Sequence, residues 1–374
     1  MTIDYCQFIR IFVSEYGKNM QKSDNHLVIM AGGIGSRFWP MSTQERPKQF
    51  VDVLGTGRTL IQLTLDRFRG ILPIENVWVV TSAAYAAIVH EQLPEVPECN
   101  ILQEPCRRNT APCVAYVSWR IKATNPHANI VVSPSDHVVL DTEEFRRVII
   151  SSLKFANETD AIITLGMKPT RPETGYGYIQ ADLSTASVRN RELYRVDRFR
   201  EKPDVGTARE YIKQNNFFWN AGIFVWNVNT IISAFRIYAP GISNIFERLL
   251  PYYGKSKEQA LINEWYPQCE SISVDYAIME HAEEIFCFPA SFGWSDLGTW
   301  GSLRENSERD QAGNALIGPR VEVYGCRNCI VHATDEHRVV VEGLDGYIVA
   351  EKDDVLLICP LEHEQDIKKY SEER

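Results

Sequence analysis

No stretch of this chain approaches the 18 or more consecutive apolar residues of a bilayer-spanning helix, so no membrane span is expected. Basic charge is not in excess. Lys and Arg number 39 against 49 Asp and Glu, giving a net charge of −10 and a pI of about 5.4, which disfavours a nucleic-acid backbone as partner. Nine cysteines in 374 residues form no disulfide framework. Cys326-x-x-Cys329 lacks a second pair, although His332 follows it, and reads better as two small apolar residues in a β region than as a zinc or redox site. Scattered thiols fit a reducing cytosol, so a cytoplasmic location is expected. Two common phosphate loops are also missing. No Gly-x4-Gly-Lys-Ser/Thr string occurs. The third glycine of a dinucleotide fingerprint is replaced by Phe38, and Trp39-Pro40 stops the helix that fingerprint needs.

What is present is the composition of a soluble globular protein, 44% hydrophobic and 24% charged, long enough for one large domain and a small one. Residues 1–19 read as an N-terminal appendage. Arg10 interrupts their apolar patch, Asp4 precedes it, no small-x-small cleavage site follows, and Met20 could be the start. These residues are expected to be dispensable.

The most informative string is Val28–Phe50. An apolar run ends in Ala31-Gly32-Gly33-Ile34-Gly35-Ser36-Arg37, a buried strand entering a glycine-rich loop with a basic residue at its far end. Glycines let backbone N–H groups approach an anion, and Arg37 adds a fork suited to phosphate oxygens. Pro40 and Pro47 stiffen the loop and Lys48 brings a second cation. The chemistry is that of a polyphosphate cradle.

With Arg37, Pro40 and Pro47-Lys48, the string resembles the signature of sugar-1-phosphate nucleotidylyltransferases. Phe38-Trp39-Pro40 and Pro47-Lys48-Gln49-Phe50 look like the mannose-1-phosphate guanylyltransferase branch. Further matches follow in that family's order: Gln103-Glu104-Pro105 through Arg108-Asn109-Thr110-Ala111-Pro112, Ser133–His137, Thr174–Ile179, Arg200-Glu201-Lys202-Pro203, Trp219–Phe224, and Gly293-Trp294-Ser295-Asp296. The resemblance covers about residues 26–300.

Short apolar strands at Leu27–Met30, Val77–Thr81, Asn100–Gln103, Ile130–Ser133 and Ala161–Leu165 alternate with helical patterns. Ile61, Leu65 and Phe68 share one helical face; Phe145, Val148, Ile149 and Leu153 share another, with Asp141, Glu143 and Glu144 near its start. This predicts βαβ units and a mostly parallel sheet. Ligands of such sheets sit at the carboxyl ends of the strands, so Gly32–Arg37 and Pro134–Asp136 should meet in one crevice. Strands are predicted at Tyr176–Ala181, Tyr194–Glu201 and Phe217–Trp226, and helices around Thr207–Gln214, Thr230–Tyr238 and Val274–His281. From about Gly313, short β runs separated by Gly, Asn and Asp turns predict a small β domain. The resemblance implies a Rossmann-like nucleotide-diphospho-sugar transferase fold, α/β with a mostly parallel sheet. It further implies a left-handed β-helix for the C-terminal part. The expected division is 1–19, a catalytic domain over 20–305, and a β domain over 306–374 that serves assembly or stability, with a homodimer plausible.

The implied reaction transfers GMP from GTP to α-D-mannose 1-phosphate. The nucleophile is already an anion, so cations and Mg²⁺ are needed rather than a Ser-His-Asp set. The resemblance implies Arg37 and Lys48 as catalytic cations on phosphate. It places the nucleotide against Ala31, Gly32, Gly33, Gly35, Gln103, Asn109 and Pro134, with Asn109 equally readable as a turn or cap residue. It places the sugar phosphate at Gly175, Glu201, Lys202, Asn220 and Gly222. Asn220, inside an apolar strand, must find a partner or leave a desolvated amide; a bulge satisfied by its own backbone is the alternative. Asp136 and Asp296 are implied as the Mg²⁺ ligands, against the alternative that either caps a helix. Tyr176 and Tyr178 read as wall or core. Another sugar or base, or a silent nucleotide-sugar-binding subunit, are the competing functions. A silent subunit is expected to have lost some of Arg37, Lys48, Asp136 and Asp296, and all four are present.

Overall fold

A computed structural model describes residues 24–33, 38–334 and 336–372. The expected appendage 1–19, and with it Met20, lies outside them, as do Gly35 and Arg37. The large sheet is built from β1 (Asn25–Ala31), β2 (Val77–Ser82), β3 (Ile101–Glu104) and β4 (Asn129–Pro134), followed by β6 (Ile162–Met167), β7 (Tyr178–Ala186), β8 (Tyr194–Arg200), β9 (Phe217–Asn227) and β10 (Ile285–Ala290). A short pair, β5 (Val138–Val139) and β11 (Trp294–Ser295), stands apart from it. The large sheet has the order β3-β2-β1-β4-β9-β6-β10-β8-β7.

Strands β3, β2, β1 and β4 are mutually parallel, as the sequence predicts. The sheet then turns mixed, because β9 lies antiparallel between β4 and β6, and β8 lies antiparallel between β10 and β7. All other strands of the sheet run the same way. β9 can occupy the middle because both its faces are apolar. Phe224 and Trp226 join one core layer, and Ile223 and Val225 the other.

Helices cover both faces. Thr110–Lys122, Val228–Tyr238 and Pro240–Leu249 pack on one side. Here Trp119 meets Phe235 and Phe246 at 5.9 and 6.2 Å between ring centroids, contacts of roughly 0.5–1.5 kcal/mol each beyond area burial. Leu60–Phe68 and Thr142–Glu158 pack on the other side. The Asp141 carboxylate caps the second of these by accepting the Glu144 N–H at 2.9 Å, as the acidic start of that segment predicts. The expected helix at Val274–His281 is instead a single π turn over Asp275–Met279, closed by the Glu280 N–H donating to the Asp275 carbonyl at 3.0 Å.

The C-terminal unit is a stacked coil. Strands β12 (Ala315–Ile317), β14 (Ile330–His332) and β16 (Tyr347–Lys352) stack in parallel; β13 (Val321–Tyr324) and β15 (Val339–Glu342) form a second parallel wall; β17 (Val355–Pro360) adds an antiparallel edge. Val321 pairs with Val339, Arg327 with Asp345 and Ile330 with Ile348, so this part of the coil repeats about every 18 residues, a period the turn-rich sequence hides. Cys326 and Cys329 are buried in it, their Sγ atoms at backbone carbonyls. A third core cluster joins Phe38, Met41, Val53, Leu297, Trp300 and Leu303 to Ile330, Ile348, Leu357 and Ile367. The coil therefore packs directly on the loops that follow β1 and β11.

Candidate active site

The carboxyl ends of β1 and β4 meet as expected: the Ser135 N–H donates to the Met30 carbonyl at 3.2 Å. The loop after β1 is clamped by Gln49, whose Nε2 donates to the carbonyls of Ala31 and Gly33 at 3.2 and 2.8 Å. A Cβ at Gly32 would lie 3.2 Å from Glu104 Oε2, so the loop passes close against the end of β3.

Lys48 is buried, and its Nζ reaches Asp136 Oδ2 at 3.0 Å and the carbonyls of Asp296 and Leu297 at 2.7 and 2.9 Å. Three ammonium protons meet three acceptors. The sequence places Lys48 on phosphate; in the structure it ties the two carboxylate-bearing loops together. Arg67, fully buried, supports the same spot by donating to the His137 carbonyl. Burial pushes the Asp136 carboxyl upward, but Lys48 and His137 outweigh it and hold its pKa below the ordinary value.

Neither aspartate caps a helix. Thr299 caps Trp300–Glu305, and Asp141 caps Thr142–Glu158. Asp296 Oδ1 accepts from the Tyr176 hydroxyl at 2.7 Å and from the Gly298 N–H at 3.0 Å. Tyr176 is thus more than the wall residue its sequence context suggests, and burial beside Asp296 raises its pKa. His137 Nδ1 accepts from Trp294 Nε1 at 3.2 Å, and burial lowers the pKa of the ring. The neutral imidazole then carries its proton on Nε2, which faces Asp136 Oδ1 at 3.8 Å.

Two adjoining cavities share Gly175, Tyr176 and Asp296. The inner one, of about 220 Å³, is lined among others by Pro134, Glu201, Asn220, Gly222 and Asp275. The outer one, of about 640 Å³, takes in Lys202 and Arg171. Asn220 is fully engaged: Nδ2 donates to Asp275 Oδ1 at 3.0 Å, and Oδ1 accepts from Thr164 Oγ1 and the Gly222 N–H at 3.1 and 3.0 Å. Gly222 has φ +66°, which lets the strand bulge beside Pro134. Lys202 Nζ donates to Glu201 Oε1 at 2.6 Å. The predicted sugar-phosphate residues and Asp296 therefore share one polar crevice.

A family model described as nucleotidyl transferase matches residues 26–313. The chain belongs to the nucleotidyl transferase family. Mannose-1-phosphate guanylyltransferase RfbM of Salmonella typhimurium is 33% identical over 347 residues, covering 91% of this chain and 71% of that protein. Mannose-1-phosphate guanylyltransferase of Escherichia coli K12 is 32% identical over 359 residues, covering 95% and 74%. A solved structure described as mannose-1-phosphate geranyltransferase from Thermus thermophilus superposes with a TM-score of 0.82 at 31% identity, covering 94% of this chain and 99% of that one.

In this nucleotidyl transferase, Asn109 takes the cap position that is the alternative reading of it, and Gln103 is tied through its backbone. Asn109 (φ +64°) caps Thr110–Lys122, its Oδ1 accepting the Thr110 N–H at 2.9 Å. Gln103 is half-buried, and its carbonyl accepts from Gln259 Nε2 at 3.2 Å. The neighbour Glu104 is the buried carboxyl beside Gly32. Its Oε1 accepts from the Tyr266 hydroxyl, and burial pushes its pKa up to about 7. Asp275 is a second carboxyl that sequence reasoning missed; burial and the nearby Glu201 raise it to about 7. The signal for both was local. Each acid sits in an apolar context, Ile101-Leu102-Gln103-Glu104 and Val274-Asp275-Tyr276-Ala277-Ile278.

Proposed function

We propose that the protein transfers GMP from GTP to α-D-mannose 1-phosphate. A phosphate oxygen of the sugar phosphate attacks the α-phosphorus, the bond from that phosphorus to the bridging oxygen of the β-phosphate breaks, and pyrophosphate leaves as GDP-mannose forms. The observation that carries this reading is the crevice in which Asp296 adjoins Glu201, Asn220 and Gly222, in a chain about a third identical to named mannose-1-phosphate guanylyltransferases over nine-tenths of its length.

In this reading the nucleotide lies along Ala31–Gly35 and Pro134, with Arg37 as the catalytic cation. Glu104 reads the base: a carboxylate accepts from the adjacent N1–H and N2–H donors of guanine, an edge adenine does not offer. The Glu201–Lys202 pair and the Asn220 node hold the sugar phosphate, with Asp275 fixing the amide of Asn220. Asp136 and Asp296 suit Mg²⁺. Lys48 takes one oxygen of Asp136, and Tyr176 and Gly298 take one of Asp296. One oxygen of each remains for a hard cation completed by substrate phosphate and water. Bound there, Mg²⁺ supplies charge neutralisation on the transferring phosphate. Lys48 acts as a positioning residue that sets the separation of the two carboxylates.

The C-terminal coil is further read as a left-handed β-helix, because an 18-residue turn divides into three six-residue sides. Its edge strand β17 exposes Leu356 and Ile358, which supports a homodimer formed through this unit. Mass spectrometry of a mixture of protein, Mg²⁺, GTP and mannose 1-phosphate tests the activity. GDP-mannose is expected, and unreacted GTP after long incubation would contradict it.

A further inference from the structure

The C-terminal unit contacts both loops that carry the proposed chemistry. Lys352, at the end of β16, donates from Nζ to the Met41 carbonyl at 2.7 Å. Met41 belongs to the loop that leads from the glycine string toward Lys48. Glu364, in the turn after β17, accepts the Gly301 N–H on Oε2 at 2.7 Å. That N–H belongs to the first turn of Trp300–Glu305, the helix that follows Asp296, where the helix itself offers no acceptor. Between the two bonds, Trp300 packs on Phe38 at 5.4 Å and on His332 of β14 at 6.0 Å. Glu364 also lines the outer cavity together with Asp296 and Lys202.

Each loop is held by a polar bond to the coil and by one shared apolar cluster. Lys48 also bridges the loops directly, through Asp136 and the carbonyls of Asp296 and Leu297. Removing either bond frees one loop relative to the other without touching the β1–β4 sheet. We propose that Lys352 and Glu364 are positioning residues that fix the Phe38–Lys48 loop relative to the Asp296 loop, so the C-terminal unit is part of the catalytic machinery as well as a platform for assembly. A misplacement of about 1 Å between reacting groups is enough to cost up to a hundredfold in rate, and among the described residues the half-buried Lys352 and Glu364 have one such bond each to lose.

The inference rests on the proposed reaction for its kinetic arm only. Lys352→Met, Lys352→Arg and Glu364→Gln are compared with wild type by hydrogen–deuterium exchange, thermal melting and steady-state kinetics. Exchange should rise roughly tenfold in residues 38–46 for Lys352→Met and in 296–303 for Glu364→Gln, with β1 and β4 unchanged. The turnover number should fall about tenfold in both, the KM for mannose 1-phosphate should stay within about twofold, and Lys352→Arg should restore both readouts. Unchanged exchange in both segments overturns the proposal. So does a rise spread over the whole chain with a lowered melting temperature, which would make the contacts merely structural. A wild-type protein that releases no pyrophosphate would refute the reaction alone, since the exchange arm would still decide the positioning role.

Discussion

Lys48 and Asp136 form the ion pair on which the site turns: Nζ lies 3.0 Å from Oδ2, with the lysine side chain 5% exposed and the aspartate 31%. Two facing aspartates alone suggest that neutralising one relieves repulsion and leaves stability unchanged or higher. The pairing reverses that expectation for Asp136. Asp136→Asn leaves a buried ammonium short of its counter-charge, and melting should shift down by the equivalent of about 1–3 kcal/mol. The pH dependence follows from the lowered pKa of Asp136. The pair's contribution is fully present above the ordinary carboxyl value and is lost as pH falls through the depressed one. Wild type and Asp136→Asn should therefore converge in stability under acid, as melting curves against pH would reveal.

Asp136 and Asp296 should behave as one unit in turnover. Asp136→Asn and Asp296→Asn should each cut the rate by roughly a hundredfold or more, and the double variant should be little worse than either. Pyrophosphate release under a Mg²⁺ titration checks this. Wild-type rate and Mg²⁺ dependence in Asp296→Asn would remove that residue from the proposed metal site.

In the proposed reading, Glu104 gives the nucleotide step a pH signature. Burial holds its carboxyl at about 7, against an ordinary 4.5, so the native state keeps the proton longer than the unfolded chain. Its contribution to stability is present at low pH and fades as pH rises from about 4.5 to about 7. Guanine donors favour the ionised form, so GTP affinity should rise several-fold between about pH 6 and 8. Glu104→Gln should flatten that rise and narrow the preference for GTP over ATP. Titration calorimetry at three pH values measures both effects.

The exposed Leu356 and Ile358 of β17 should support self-association. Light scattering is expected to give a dimer for wild type and a monomer for the Leu356→Asp/Ile358→Asp double variant, with melting little changed because both side chains point outward. A monomeric wild type would defeat the assembly role.

Much of this was legible in the sequence, for reasons that differ by element. The parallel strands from β1 to β4 are short apolar runs with turn residues after them, a pattern that survives without tertiary knowledge. The helix Thr110–Lys122 is hidden in the sequence. Eleven of its thirteen residues are buried, so it carries no polar stripe to betray a 3.6-residue period. The place of β9 between β4 and β6 depends on long-range pairing, which no local pattern records. At the site, Asp136, Asp296, Asn220 and Glu201 could be picked out by motif. The saturation of Lys48 by a carboxylate and two carbonyls from distant loops could not, because it needs residues 248 and 249 positions apart to meet. Glu104 carries only the weak local signal of an acid in an apolar run; adjacent strand residues face opposite sides, and the approach of Gly32 to its carboxylate decides between it and Gln103.

The most direct test of the account is pyrophosphate release by wild-type protein offered each of the four nucleoside triphosphates with mannose 1-phosphate, glucose 1-phosphate and other sugar 1-phosphates, with Mg²⁺ present. Rapid release is predicted for GTP with mannose 1-phosphate, with at least about tenfold discrimination against every other combination. Release with another nucleotide at equal or greater rate, or none with any combination, would contradict it.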